Sequence, residues 1–299
     1  MMQMQIKWFL LIFSLTSVIG CGGGTTDQIV RVSRQNNSGT YVYFRETVLG
    51  KEREFKLGSI DQSGSKDVVE LVSKTPNAIG YSGMGYATPE VKMLALSKEA
   101  GEAVGPTAEN AANGSYPLAR GLYIYTLGQP EGAMKHFLDW IHSSDGQSIV
   151  AEIGYVPVPA VEPPADQAAP ADATIKVAGS DTMVNLAAAW AERYKEAYPS
   201  VDVQVSGGGS GVGIAKLIDG TVDLANASRN MKTKEREQAS ENAGGKEVIE
   251  FTVALDALAV YVHKENPLTE IDIAKLAEIY GDNGTITNWS QVPGWHNGK

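Results

Sequence analysis

Short runs of β-branched and aromatic residues alternate along this chain with stretches of helical periodicity. Ile29-Val-Arg-Val32, Ala78-Ile-Gly-Tyr81, Gly121-Leu-Tyr-Ile-Tyr-Thr126, Thr174-Ile-Lys-Val-Ala178, Val201-Asp-Val-Gln-Val205 and Ala257-Leu-Ala-Val-Tyr-Val262 predict strands. Helices are predicted from Leu186 to Tyr198, with Leu186, Trp190, Tyr194 and Ala197 on one face, and from Gly132 to Ile149 through Met134, Phe137, Leu138 and Ile141. A third runs from Ile271 to Tyr280. This alternation indicates α/β layers with mainly parallel sheets. Trp140, Trp190 and Tyr194, at helical spacing, read as core. Residues 156–173 are rich in Pro and Ala with almost no large apolar side chain, which predicts a semi-rigid, solvated linker.

Composition narrows the function. A chain of 299 residues with 43% hydrophobic and 20% charged side chains buries a sizeable core in one large or two medium domains. A formal net charge of -10 argues against nucleic acid, whose binding neutralises many phosphates at once, although it leaves room for a small anion in a pocket. The lone Cys21 makes no internal disulfide, and four unclustered histidines, His136, His142, His263 and His296, in contexts that suggest the surface, give little basis for a metal. No cofactor is expected. Residues 1–20 carry Lys7 and then a short apolar run, built like a secretory signal, and end in Val18-Ile-Gly-Cys21, which resembles a bacterial lipobox. Cys21 is thus the expected lipidation site, residues 21–27 a flexible tether, and the mature protein a body hung from the membrane outside the cytoplasm.

Three clusters of Gly, Ser and Thr fall between a predicted strand and a predicted helix: Gly179-Ser-Asp-Thr-Met183, Ser206-Gly-Gly-Gly-Ser-Gly-Val-Gly213 and Ser33-Arg-Gln-Asn-Asn-Ser-Gly-Thr40. The third is expected to open a helix at Tyr41 to Val48. Such junctions suit anions, because the first amides of a helix lack internal partners and the helix dipole favours negative charge there. Taken singly, each cluster is equally an ordinary cap or turn. A nucleotide P-loop is absent, the glycine run lacks a dinucleotide fingerprint, and no nucleophile elbow comes with a credible histidine.

Ile175-Lys-Val-Ala-Gly-Ser-Asp-Thr-Met183, Ser206 to Gly213, Thr221-Val-Asp-Leu-Ala-Asn-Ala-Ser-Arg229 and Ile286-Thr-Asn-Trp289 resemble the first half of the phosphate-binding protein of the bacterial phosphate ABC importer. Residues 29–159, with Ser38-Gly-Thr40, Ala78-Ile-Gly-Tyr81, Tyr116-Pro-Leu118, Tyr123-Ile-Tyr125 and Gly154-Tyr-Val-Pro157, resemble its second half. The two halves stand in swapped order, which looks like a circular permutation, a fragment of a tandem array or a misassembled frame being the competing explanations.

The resemblance implies an α/β, two-lobe periplasmic-binding-protein-like fold (type II), with mixed, mainly parallel sheets flanked by helices and the ligand in the interlobe cleft. One lobe would hold residues 28–116 plus 259–299 and the other 117–258, with hinge crossings near Tyr116 and Asp256 to Leu258. Phosphate-binding residues implied are Ser180, Asp181, Thr182, Ser210, Ser228, Arg229 and, from the opposite lobe, Arg34, Ser38, Gly39 and Thr40. Some family members place an aspartate at Ser228, so the acceptor for the phosphate proton is sought at Asp181, then Asp256. The function implied is non-enzymatic: a monomeric, lipid-anchored receptor that binds inorganic phosphate and passes it to the membrane subunits of an ABC permease. Rival readings are a receptor for sulfate or molybdate, a phosphohydrolase, and a sensor or adhesin-like binder.

Overall fold

The strand-forming runs pair into one curled, mixed sheet. A computed structural model describes residues 27–50, 52–98, 101–165 and 167–296, so the signal segment, Cys21 and most of the tether lie outside the described residues. In chain order its strands are β1 (Val30–Arg34), β2 (Ile60–Gln62), β3 (Ala78–Gly83), β4 (Val91–Met93), β5 (Ala95–Ser97), β6 (Ala119–Leu127), β7 (Ala173–Gly179), β8 (Val201–Ser206), β9 (Leu224–Ala227), β10 (Val248–His263) and β11 (Glu270–Asp272). Its helices are α1 (Gly39–Phe44), α2 (Ser65–Ser73), α3 (Ala108–Ala112), α4 (Gly132–His142), α5 (Ser144–Glu152), α6 (Val184–Ala197), α7 (Ser210–Ile218), α8 (Thr233–Asn242) and α9 (Ile273–Tyr280).

The main sheet runs β2-β1-β3-β10-β6-β9-β7-β8, with β4 also on β10, while β5 and β11 form a separate parallel pair. Both flanks are parallel, β2-β1-β3 and β9-β7-β8, and the centre is antiparallel about β10. At 16 residues β10 exceeds the predicted strand, because its first half pairs with β6 and its second half with β3. The sequence showed only the second half, which is buried almost continuously; in the first half apolar and polar residues alternate across a half-exposed surface. Asp256 and Arg120 are directly opposite each other on β10 and β6.

Burial follows the two ends of β10. Around β3 and its end of β10, Phe44, Tyr81 and Tyr280 pack with Ile79, Leu258 and Trp289, and Phe44 stacks on Tyr81 with ring centroids 3.9 Å apart. Around β6 and β7, Leu122, Ile124 and Val177 pack with Phe137, Trp190 and Tyr194 from α4 and α6. Trp140, Trp190 and Tyr194 are core, as their spacing predicts, but Ala197 is exposed.

Two further expectations are corrected. The helix predicted from Gly132 to Ile149 breaks at Ser143, whose extended backbone (ψ 169°) ends α4 and whose hydroxyl caps α5 on the Gly146 amide. Only glycine fits at 146, because a Cβ there would lie 2.4 Å from the Trp140 and Ile141 carbonyls. His136 is buried, its Nδ1 2.8 Å from the Tyr194 hydroxyl, so the expected surface position is wrong. The helix expected at Tyr41 to Val48 is α1 continued by a π-helical turn, Arg45–Leu49. Residues 156–173 are mostly exposed, as predicted, but they are also tied to one flank of the sheet. The Val156 and Leu255 backbones bond reciprocally, and the Val161 amide reaches the His142 carbonyl at 2.8 Å. Glu162 accepts from Ser144 and Gln167 donates to Asp139.

Candidate anion site

The three Gly, Ser and Thr clusters, far apart in sequence, come together beside the centre of β10. On one side β7 ends at Gly179 and the chain turns through Ser180, Asp181 and Thr182 into α6. The Ser180 amide donates to the Asn226 carbonyl at 2.9 Å, and its buried hydroxyl has no hydrogen-bond partner among the described residues. Asp181 Oδ1 accepts from the Gly208 amide at 2.8 Å, and its carbonyl accepts from the Tyr86 hydroxyl at 2.7 Å. The Tyr155 hydroxyl holds the Thr182 carbonyl at 2.7 Å.

Ser210 opens α7. The residue before it, Gly209, has φ 93° and would carry any Cβ to 2.8 Å from the Asn37 carbonyl, so both the backbone hand and the close approach demand glycine. The Ser210 hydroxyl accepts from the Ser228 amide at 3.1 Å and lies 3.5 Å from the Ser228 hydroxyl.

The opposite face comes from the end of β1 and the start of α1. Ser38 caps α1 through the Thr40 amide at 3.1 Å. Gly39 sits so close to the facing segments that a Cβ would meet Ser210 Oγ at 2.3 Å and Ser228 Oγ at 2.7 Å. The Thr40 and Thr182 hydroxyls are 2.9 Å apart, and the Gly211 amide donates to the Asn37 carbonyl at 3.0 Å. Ser38, Thr40, Ser180, Thr182, Ser210 and Ser228 are all buried.

Two buried guanidiniums flank these hydroxyls. Arg34 is fully enclosed: Nε reaches the Gln62 carbonyl at 3.3 Å, Nη1 the Ser65 hydroxyl at 2.9 Å, and Nη2 the Ser63 carbonyl at 2.8 Å and Asp181 Oδ2 at 3.0 Å. Burial lowers its pKa and the facing Asp181 carboxylate opposes that. Arg120 donates to Asp256 Oδ2 from Nε at 2.9 Å and Nη2 at 2.8 Å, to the Ser228 carbonyl from Nη1 at 3.2 Å, and to the Thr182 hydroxyl from Nη2 at 3.4 Å. It also lies over the Tyr43 ring, 5.5 Å from its centroid. Asp256 Oδ1 accepts from the Met84 amide at 3.0 Å.

Ten of the eleven implied ligand-binding residues therefore share one neighbourhood: Arg34, Ser38, Gly39, Thr40, Ser180, Asp181, Thr182, Ser210, Ser228 and Asp256. Arg229 is the exception, because its donors go elsewhere. Its guanidinium forms a two-pronged pair with Glu235, Nη1 to Oε2 at 2.8 Å and Nη2 to Oε1 at 2.7 Å, and also donates to the Asn230 carbonyl. Of the two carboxylates, Asp256 is fully buried whereas the Asp181 side chain keeps 16% of its surface exposed. Sequence reasoning missed Arg120. Its signal was a lone arginine inside the apolar run from Leu118 to Leu127, two residues past the Tyr116-Pro-Leu118 motif.

Chemically, a ring of hydroxyls with two guanidiniums suits a tetrahedral oxyanion, since each oxygen finds donors already held in place. The serine hydroxyls face other hydroxyls and amides and have no histidine beside them. Among the described residues no group of three or more His, Cys, Asp or Glu is gathered to hold a metal, and no helix is long and apolar enough to cross a membrane.

A mixed α/β sheet flanked by helices, with such a cluster at its centre, is of the solute-binding-protein class, and the profile of the PBP superfamily domain matches residues 5–145 and 164–299. The chain belongs to that superfamily and, within it, to the PstS family. It is 31% identical over 271 residues to phosphate-binding protein PstS 2 of Streptococcus agalactiae, covering 87% of this chain and 86% of that one. With phosphate-binding protein PstS of Pseudomonas aeruginosa it shares 41% identity over 148 residues, 48% of this chain and 46% of that one. The crystal structure of a phosphate-binding protein of a phosphate ABC transporter from Streptococcus pneumoniae superposes with a TM-score of 0.67 at 26% identity, covering 89% of this chain and 99% of that one.

Proposed function

We propose that this protein is an extracytoplasmic receptor that binds inorganic phosphate with high affinity and hands it to an ABC importer, without catalysing a reaction. The observation that carries the reading is the meeting of Ser38-Gly39-Thr40 with Thr182, Ser210 and Ser228 between two buried guanidiniums, with the Thr40 and Thr182 hydroxyls 2.9 Å apart. The unpartnered Ser180 hydroxyl supplies a further donor, and a buried unpaired hydroxyl costs about 1–3 kcal/mol unless a ligand satisfies it. The names of the relatives support phosphate over other oxyanions.

The lobes would be residues 28–116 plus 259–299 and 117–258, closing about the Ala119 end of β6 and the middle of β10. The half-length match to the Pseudomonas protein, beside the near-full match to the Streptococcus protein, supports swapped halves relative to the first and a shared order with the second. Anchoring would come from lipid on Cys21, and Cys21→Ser should abolish incorporation of labelled palmitate.

Titration calorimetry with phosphate, sulfate and molybdate side by side tests the proposal. Heat with phosphate at micromolar or lower dissociation constant is expected. Tighter binding of sulfate would overturn it, and turnover of a phosphate ester by the purified protein would favour a phosphohydrolase.

A further inference from the structure

Beyond the ring of hydroxyls, Asn37 also joins the two faces of the cradle. The chain leaves β1 through a turn closed by the Ser38 amide on the Gln35 carbonyl at 2.9 Å, and the Gln35 amide is fixed to the Gln62 carbonyl at 3.2 Å. That turn carries Asn37 across to the glycine run at the start of α7. The Asn37 side-chain amide donates to the Gly208 carbonyl at 3.1 Å, and the Asn37 backbone carbonyl accepts from the Gly211 amide at 3.0 Å. Gly208 is held from its own side as well, since its amide donates to Asp181 Oδ1 at 2.8 Å, while Asp181 Oδ2 accepts from Arg34 at 3.0 Å. Arg34, Asp181, Gly208 and Asn37 thus form a hydrogen-bonded circuit that crosses between the faces at Arg34 to Asp181 and again at Asn37 to Gly208.

We infer that Asn37 is a positioning residue for closure, latching the two faces together and setting how long phosphate stays bound. The inference rests on the phosphate reading above and on the lobe closure given with it. Both bonds that Asn37 makes across to the other face go to backbone groups, and it directly precedes Ser38, Gly39 and Thr40. Drawing its turn away therefore withdraws that segment from Thr182, Ser210 and Ser228. When the faces part, water satisfies the Asn37 amide and the Gly208 carbonyl, so the latch stabilises the closed state alone. A contact made only after encounter governs the rate of release and leaves the rate of capture unchanged.

The test compares the full chain with N37A and N37D. Release of radiolabelled phosphate, chased with unlabelled phosphate and read by rapid filtration, gives the off-rate. Calorimetry gives the dissociation constant, and the ratio of the two gives the on-rate. N37A should release phosphate about threefold to tenfold faster, the worth of one hydrogen bond, with its on-rate within twofold of the unmodified chain. N37D keeps the shape but sets an oxygen against the Gly208 carbonyl in place of an N–H donor, so it should release phosphate at least as fast as N37A. Should N37A fail to fold, the off-rate of N37D decides the matter. An off-rate within twofold of the unmodified chain, or a loss in N37A that falls on the on-rate, overturns this inference alone. An unmodified chain that does not bind phosphate overturns the phosphate reading and this inference with it.

Discussion

Gly39→Ala tests whether the two faces of the cradle meet as tightly as the geometry says. The added methyl would sit 2.3 Å from Ser210 Oγ and 2.7 Å from Ser228 Oγ. To reach even a 3.0 Å contact, the first serine must retreat by about 0.7 Å, in a setting where overpacking typically costs about 1–3 kcal/mol. Ser210 has little room to retreat, because its hydroxyl is buried and accepts from the Ser228 amide at 3.1 Å. Turning each serine about 30° off its rotamer costs about 0.5–1.5 kcal/mol, so two of them bring the total to the same range. The penalty falls only when the faces are together. Phosphate binding should therefore weaken by about 1–3 kcal/mol, roughly 5- to 150-fold in dissociation constant. The ligand-free protein escapes by parting the faces, and alanine is the better helix former, so its unfolding free energy should change by less than about 1 kcal/mol. Calorimetric titration beside urea unfolding reads both numbers. A dissociation constant within twofold of the unmodified protein would refute the close approach.

Three further changes separate binding from stability. Ser180→Ala removes a buried hydroxyl that has no partner, so stability should hold or rise by about 1 kcal/mol while phosphate binding weakens by about 1 kcal/mol; denaturant curves showing clear destabilisation would reveal a protein partner instead. Arg34→Ala should weaken phosphate binding by about 2–5 kcal/mol, since the closed site loses a charge and Asp181 loses its cation, and an unchanged calorimetric isotherm would remove Arg34 from the site. Glu235 governs a pH effect. Burial opposes its ionisation, but hydrogen bonds from Arg229 and the Lys232 amide, together with the Arg229 charge, outweigh burial and hold its carboxyl below the usual value of 4.5. A folded-state pKa below the unfolded one means the contribution is complete above about pH 4.5 and is lost as pH falls through the lower folded value. Glu235→Gln should thus be less stable than the unmodified protein at pH 7, with the gap closing on acidification; urea midpoints with a pH-independent gap would contradict the sign.

Much of this protein is written locally. The β-branched runs at 174–178 and 201–205 pair in parallel because each is a half-buried strand whatever surrounds it, and the spacing of Leu186, Trp190 and Tyr194 places one face of α6 in the core. The Gly, Ser and Thr clusters were visible for the same reason, since caps and tight turns depend on neighbouring residues alone. Tertiary structure decided what those clusters meet. Nothing local joins Thr40 to Thr182, Arg34 to Asp181 or Arg120 to Asp256, because each pair closes over more than 130 residues of chain. Nor could spacing reveal that Arg229 would turn to Glu235, or that a lone arginine in an apolar strand would find a buried carboxylate directly opposite. A buried charge is tolerable only with its partner in contact, and that partner is named by strand register, which the whole sheet sets.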